Sequence, residues 1–239
     1  MPERFLSPTD LGRAERTLQR LSRHDIRSWV LTGGLATEIH HELRGFPSSP
    51  RTLNDIDFIV ESFDGAPETL AEDFLFRHIH PSDPPNKTIL QAIDVDSALR
   101  VDVFRSRSEV ISRSGSVNLW RHTFRLISLE DLLARSARIA LDVVGGVPTP
   151  RKYVADFLRL LKLADANPME VAWQDHRRPA EPATFREASA LLQSSIPSRP
   201  ELLITPVYST VAEICSRCQE TPAFRLAQPE TILSVLGYC

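Results

Sequence analysis

The stretch WVLTGGLATEIHHELRGFPSSPRTLNDIDFIV, residues 29–60, decides the fold because it combines a strand, a glycine turn, an amphipathic helix and a second strand. The β-prone run at residues 29–32 ends at Gly33 and Gly34, which lack a Cβ atom and allow a strand to turn sharply into a helix. Backbone N–H groups at such a helix N-terminus bind phosphate, and the helix dipole favours negative charge there. The stretch therefore predicts a phosphate-binding turn.

The second strand of this stretch carries two aspartates, Asp55 and Asp57, with one residue between them. Because side chains alternate between the two faces of a strand, both carboxylates are expected on one face. Ile56 and Phe58 are then expected to point into the core. Two parallel carboxylates at one edge either repel each other or hold a cation.

The composition is that of an ordinary globular protein. With 239 residues, 42% hydrophobic and 25% charged, the chain can bury a core and is not expected to be disordered. The net charge of -3 excludes a global attraction to nucleic acid or anionic membranes. No window approaches the roughly 20 apolar residues of a membrane span. Three cysteines form no disulfide framework, so we expect a soluble, cytoplasmic protein without a membrane partner.

A later pair of strands supplies a third acid. Residues 88–94 and 99–104 predict two strands joined by a tight turn, and the alternation places Leu99, Val101 and Val103 on one face. Asp102 lies on the other face, with Arg100, in an otherwise apolar strand. An unpaired carboxylate is costly in such a place.

Helices are predicted before and after these strands. Ser7 and Ser128 are expected to cap two of them, and a third spans residues 151–164 with Lys152 and Asp156 four residues apart on one face. Residues 167–184 contain three prolines and predict an irregular linker. Helical segments are expected near residues 184–194, 206–218 and 229–236. We expect one of the adjacent His40 and His41 to pack and the other to be solvated.

Several of these motifs together resemble those of the nucleotidyltransferase superfamily with the DNA polymerase β-like fold. The resemblance is closer to its stand-alone bacterial branch, which includes abortive-infection and toxin–antitoxin nucleotidyltransferases. It covers roughly residues 25 to 165. The matching motifs are Gly33-Gly34-Leu35-Ala36, Arg51-Thr52, Asn54-Asp55-Ile56-Asp57, Val101-Asp102-Val103, and Lys152 with Asp156. Gly34 stands where many members have Ser, so a side-chain hydroxyl for the phosphate is missing.

The resemblance implies an α/β (α+β) fold, in which a small mixed sheet is flanked by helices and followed by a helical C-terminal region. The implied catalytic domain spans residues 1–166, and the helical region spans residues 167–239. The implied activity transfers NMP from an NTP to a hydroxyl group on RNA such as tRNA, on protein or on a small molecule. A toxin-like role with an antitoxin partner is also implied.

The resemblance also assigns roles to residues. Asp55, Asp57 and Asp102 would hold two Mg²⁺ ions, with Mn²⁺ as an alternative, because these ions prefer carboxylate and phosphate oxygens. Gly33 and Gly34 would bind the β and γ phosphates through their backbone, and Lys152 would face the phosphates. Arg51 would either neutralise the triphosphate or simply pair with the two acids at the surface.

Two other functions are compatible with parts of the pattern. Glycosyltransferases also use two aspartates at this spacing to bind a metal and a nucleotide diphosphate, but the third acid and the early glycine turn are then unexplained. A non-catalytic binding module or toxin–antitoxin partner would retain the fold without the reaction. Six arginines between residues 100 and 125 predict either a solvated face or a local track for a polynucleotide.

Overall fold

The fold is built on a mixed β-sheet, seen in a computed structural model that describes residues 6–46, 53–63, 66–77, 89–147, 149, 152–165, 168–203 and 224–226. Within these ranges the strands are β1 (Val30–Thr32), β2 (Asp55–Val60), β3 (Leu75–Arg77), β4 (Ile89–Asp94), β5 (Leu99–Arg105), β6 (Gly115–Leu119), β7 (His122–Leu126) and β8 (Phe224–Leu226). Their spatial order is β6-β7-β1-β2-β5-β4-β3-β8.

Helices flank this sheet. They are α1 (Pro8–Leu21), α2 (Gly33–Leu43), α3 (Leu70–Asp73), α4 (Ser108–Ser112), α5 (Leu129–Val144), α6 (Lys152–Leu161), α7 (Met169–His176) and α8 (Phe185–Ser195), followed by a 3-10 helix at Pro200–Leu203. The predicted α/β class, with a mixed sheet and helices after residue 167, is confirmed. None of the described helices has the length and apolar character needed to cross a membrane.

The strands that carry the acids lie side by side in the centre of the sheet. Strand β2 pairs with β1 in antiparallel orientation and with β5 in parallel orientation, and Asp57 lies opposite Asp102 in the β2–β5 register. Ile56 and Phe58 are fully buried, as the alternation of the sequence predicts. The three acids therefore lie on the opposite face of β2 and β5.

The predicted helix starts are confirmed at both serine caps. The Ser7 hydroxyl accepts a hydrogen bond from the backbone N–H of Asp10 at 3.1 Å, and Ser128 accepts one from that of Asp131 at 3.0 Å. These bonds satisfy backbone donors that have no partner within the first turn of a helix. They fix where α1 and α5 begin.

The predicted linker at residues 167–184 is wrong, because it contains α7. Met169, Ala172 and Trp173 form a buried stripe at helical spacing, and the Trp173 indole donates a hydrogen bond to the Pro182 carbonyl at 3.0 Å. The prolines flank the helix and do not interrupt it. The buried residues of α7 and α8 belong to the same hydrophobic core as the sheet.

The expectation for the adjacent histidines is also wrong, since both are buried. His40 Nε2 lies 2.8 Å from the Ile127 carbonyl and His41 Nδ1 lies 2.8 Å from the Thr37 carbonyl. Burial lowers the pKa of His40 to about 4, so its ring is neutral in the fold. The predicted segments at 206–218 and 229–236 lie outside the described residues.

Candidate functional site

The three aspartates singled out from the sequence meet at one point of the sheet. Carboxylate oxygens of Asp55, Asp57 and Asp102 all lie within 4.8 Å of one another. The parallel β2–β5 register brings Asp102 opposite Asp57, and the two-residue period of β2 places Asp55 on the same face. Three oxygen donors at this spacing match the ligand chemistry of a hard divalent cation.

The electrostatics of this carboxylate triad show a deficit of positive charge. Burial, and then the charge of Asp55, raise the pKa of Asp57 to about 7, although Arg135 and Lys152 oppose the shift. Burial also raises the pKa of Asp102, despite the opposing charge of Arg100. Carboxylates whose charge is disfavoured in this way gain from a bound cation, so the donor set fits a divalent metal ion.

The glycine turn packs directly against the triad. Gly33 opens α2 with φ +67°, a conformation that side-chain-bearing residues rarely adopt, and a Cβ atom there would lie 1.9 Å from Asp57 Oδ2. A glycine is therefore required both for the backbone and for the space beside the carboxylate. Thr32, opposite Asp57 in the β1–β2 register, has a buried hydroxyl that makes no hydrogen bond with the described residues.

A cavity joins the glycine turn to helices α5 and α6. Its lining residues are Gly33, Gly34, Thr37, Asp57, Phe104, Leu132, Arg135, Ser136, Lys152, Tyr153 and Asp156. The structure thus brings the predicted Gly33, Gly34 and Lys152 to one cavity with one of the triad carboxylates. Arg51 lies outside the described residues, so its role stays a prediction.

Two cations border this cavity without an ion pair in the described part of the chain. The Arg135 guanidinium lies over the Phe104 ring, 5.7 Å from its centroid, and Lys152 Nζ lies 5.4 Å from the Tyr153 centroid. Aromatic faces stabilise cations without neutralising them. Both side chains are thus available to anionic groups in the cavity.

Helix α6, which carries Lys152, is held against α2 by a buried ion pair. Arg159 donates to the two carboxylate oxygens of Glu38 at 2.7 and 2.8 Å, and the Glu38 side chain is fully buried. Lys152, Asp156 and Arg159 recur at helical spacing along one face of α6. The ion pair therefore fixes the face of α6 that presents Lys152 to the glycine turn.

Sequence reasoning missed three polar residues of the site. Arg100 bridges Asp55 and Asp102, Gln91 on β4 donates to Asp102, and Arg135 reaches the cavity from α5. Arg100 shares a strand face with Asp102, and this spacing could have identified it. Gln91 and Arg135 depend on sheet register and helix packing, for which the sequence carries no local signal.

Three members of the arginine run make contacts within the chain. Arg100 pairs with the triad, Arg113 pairs with Asp131, and Arg125 donates to the Ile111 carbonyl at 2.6 Å. The side chains of Arg100 and Arg113 are nevertheless 35% and 26% exposed.

No protein-family model and no curated protein sequence matches the chain. Among solved structures, it is similar to an antigenic nucleotidyltransferase-like protein from Paracoccidioides brasiliensis, with 17% identity, a TM-score of 0.46, and coverage of 83% of this chain and 92% of the other. It is also similar to the antibiotic-resistance factor ANT(2'')-Ia, with 15% identity, a TM-score of 0.48, and coverage of 78% and 96%.

A third similar structure is JHP933 from Helicobacter pylori, with 14% identity, a TM-score of 0.45, and coverage of 97% of this chain and 90% of the other. The chain is also similar to a structure named as a putative nucleotidyltransferase from H. pylori, with 10% identity, a TM-score of 0.35, and coverage of 82% of this chain and 98% of the other. Likenesses at TM-scores below 0.5 carry no argument about activity.

Proposed function

We propose that this chain is a Mg²⁺-dependent nucleotidyltransferase that moves NMP from an NTP to a hydroxyl group and releases pyrophosphate. The observation that carries the proposal is the meeting of the carboxylate triad with a cavity formed by a glycine turn and two basic side chains. A metal-bound triphosphate needs carboxylates for its ion, and N–H groups or cations for its phosphate oxygens.

With the nucleotide bound, Asp55, Asp57 and Asp102 would hold two Mg²⁺ ions, with Mn²⁺ as an alternative. These ions would neutralise charge that develops on the phosphoryl oxygens. The raised pKa of Asp57 supports this assignment, because its cause is burial beside another carboxylate. Perturbed carboxylates of this kind cluster at functional sites.

The other residues of the site would position the two reactants. The backbone at Gly33 and Gly34 would bind the β and γ phosphates, and Arg135 and Lys152 would bind their outer oxygens. Asp102, whose pKa is raised by burial, would accept the proton of the attacking hydroxyl. Transfer then depends chiefly on orientation and charge, as is general for phosphoryl chemistry.

The acceptor remains a class with three members: RNA such as tRNA, a protein, or a small molecule. The toxin-like role and the antitoxin partner rest on the sequence resemblance alone, as does the assignment of residues 1–166 to catalysis. Arg51 is proposed to assist the triphosphate on the same ground. Three cysteines without a disulfide framework support a cytoplasmic location.

The test is to incubate the protein with each labelled NTP, Mg²⁺ and acceptor pools of RNA, protein and small molecules. We expect pyrophosphate release and a labelled product from at least one pool, and their loss in the Asp55→Asn, Asp57→Asn double variant. Asp25→Asn removes an exposed carboxylate that pairs with the exposed Arg27, and is the matched control. No pyrophosphate and no product with any NTP would contradict the proposal.

Calorimetry separates the two competing functions. Binding of UDP-sugars in preference to NTPs would favour the glycosyltransferase. NTP binding that raises the melting temperature, without transfer to any acceptor, would favour the non-catalytic binding module. Our proposal requires both NTP binding and transfer.

A further inference from the structure

We propose that Arg100 is a resident cation of the carboxylate triad, so that the nucleotide-free protein binds a single divalent ion at Asp55 and Asp57. The inference rests on the metal-binding part of the proposed function. In the nucleotide-free protein, the Arg100 guanidinium would neutralise carboxylate charge in place of a second metal ion. Arg100 is thus a positioning residue that sets the number and affinity of the bound ions.

The sheet register places Arg100 between the two acids that it joins. Asp55 lies opposite Arg100 in the parallel β2–β5 pairing, and Asp102 follows two residues later on the same face of β5. Arg100 Nη2 donates to Asp55 Oδ2 at 2.6 Å, and its Nε donates to Asp102 Oδ2 at 3.0 Å. The guanidinium therefore bridges two strands in the way that a metal ion shared by both carboxylates would.

These contacts use the oxygens of Asp102 and leave Asp57 without a donor. Gln91 Nε2 donates to Asp102 Oδ1 at 3.1 Å, so both oxygens of Asp102 accept hydrogen bonds. Asp57 accepts no hydrogen bond from any residue in the part of the chain that the structure describes. Asp57 is thus the member of the triad that Arg100 does not contact.

Charge balance leads to the same assignment. Three carboxylates and one guanidinium leave two net negative charges, which one divalent ion neutralises. A second ion in the absence of phosphate would lie beside both the first ion and the guanidinium, and like charges at such distances repel strongly. The Arg100 side chain is 35% exposed, so it has room to turn away when the phosphates bring their own negative charge.

The test is a Mn²⁺ titration of the nucleotide-free protein, followed by electron paramagnetic resonance and calorimetry. We expect a single Mn²⁺ per wild-type chain. Arg100→Met removes the guanidinium, and should admit a second ion or tighten the first by about tenfold or more. Arg100→Gln, which keeps a hydrogen-bond donor but no charge, should do the same and serves if the Met variant fails to fold. Arg27→Met removes an exposed cation and should match the wild type.

Two ions bound to the wild type, or an affinity in both Arg100 variants that equals or falls below the wild-type value, would overturn the inference. So would the absence of Mn²⁺ binding in all variants. Because the titration contains no NTP, its outcome is separate from transfer. A protein that titrates as expected but transfers nothing would contradict the proposed activity and leave the assignment of Arg100 intact.

Discussion

Asp57 is half-buried and Asp131 is fully buried, and the two carboxylates differ in their hydrogen-bond partners. Asp131, whose side chain is fully buried, receives hydrogen bonds from Arg113 at 2.9 and 2.6 Å and from the Ser128 hydroxyl at 2.6 Å, and His176 Nε2 lies 3.1 Å away. Burial alone would raise its pKa, but these partners lower it to about 2. Asp57 has no such donors among the described residues, and its pKa rises to about 7.

The difference separates a structural carboxylate from one available to a ligand. Asp131 connects three elements, because Arg113 ends α4, Asp131 lies in the first turn of α5, and His176 ends α7. Its charge is satisfied within the chain. Asp57 lies between Asp55, Asp102 and a glycine turn that leaves no room for a Cβ atom. Its charge needs a partner from outside, which is the pattern expected of a binding site.

Removing Arg113 from the cluster that Asp131 forms with Arg113, Ser128 and His176 should have the largest effect on stability. Arg113→Met leaves the Asp131 carboxylate buried with one fewer charge partner, and we expect the free energy of unfolding to fall by about 3 kcal/mol. Arg178→Met is the control, since Arg178 also pairs with an aspartate, Asp142, but is 54% exposed. Its loss should cost much less, because solvent screens an exposed ion pair. Urea denaturation measures the free energy of unfolding of both variants. Equal losses would contradict the difference between the buried and the exposed ion pair.

Low pH should destabilise the fold by protonating Asp131 in the same cluster. The pKa of Asp131 is lowered from 3.8 to about 2 by folding, so its contribution is present above pH 4 and is lost as the pH falls through 2. We expect about 2 kcal/mol of stability to disappear over this window. Urea denaturation at pH 5, 4, 3 and 2 measures it. Asp131→Asn should have a flatter profile, and a profile as steep as that of the wild type would count against the assignment.

Asp57, which has no hydrogen-bond donor among the described residues, should make stability depend on pH with the opposite sign to Asp131, and the effect should be smaller. Because folding raises the pKa of Asp57, the stability associated with its proton is present below pH 4 and is lost as the pH rises through 7. Asp57→Asn should therefore raise the free energy of unfolding by about 1 kcal/mol at pH 8 in EDTA. Added Mg²⁺ should stabilise only the wild type. A destabilised variant in EDTA would show that Asp57 is structural.

Much of the fold follows from local patterns. Strand alternation predicted β2 and β5 and the buried faces of both, and serine caps predicted the starts of α1 and α5. The β6–β7 hairpin was not predicted, because its turn places Trp120 and Arg121 at φ +45° and +68° without the glycine that such turns favour. Helix α7 was missed because its flanking prolines obscured a short apolar stripe.

The candidate site also contains some residues that local patterns predict and others that they do not. The three acids and the glycine turn are local motifs, and their meeting depends only on two strands being adjacent. Arg100 and Gln91 require the exact register of three strands, which no local pattern determines. Arg135 requires the placement of α5 that brings its guanidinium over the Phe104 ring of β5. Arg100, Gln91 and Arg135 are therefore harder to predict than the three acids and the glycine turn.

The most direct test of the central claim, that Asp57 and its neighbours form a cation and triphosphate site, is a crystal structure with Mn²⁺ and a non-hydrolysable NTP, measured with anomalous diffraction. We predict an anomalous peak coordinated by Asp55 and Asp57, with the triphosphate against Gly33 and Gly34 and within reach of Arg135. A fully occupied nucleotide elsewhere on the chain, or the absence of an anomalous peak at the triad, would contradict the claim.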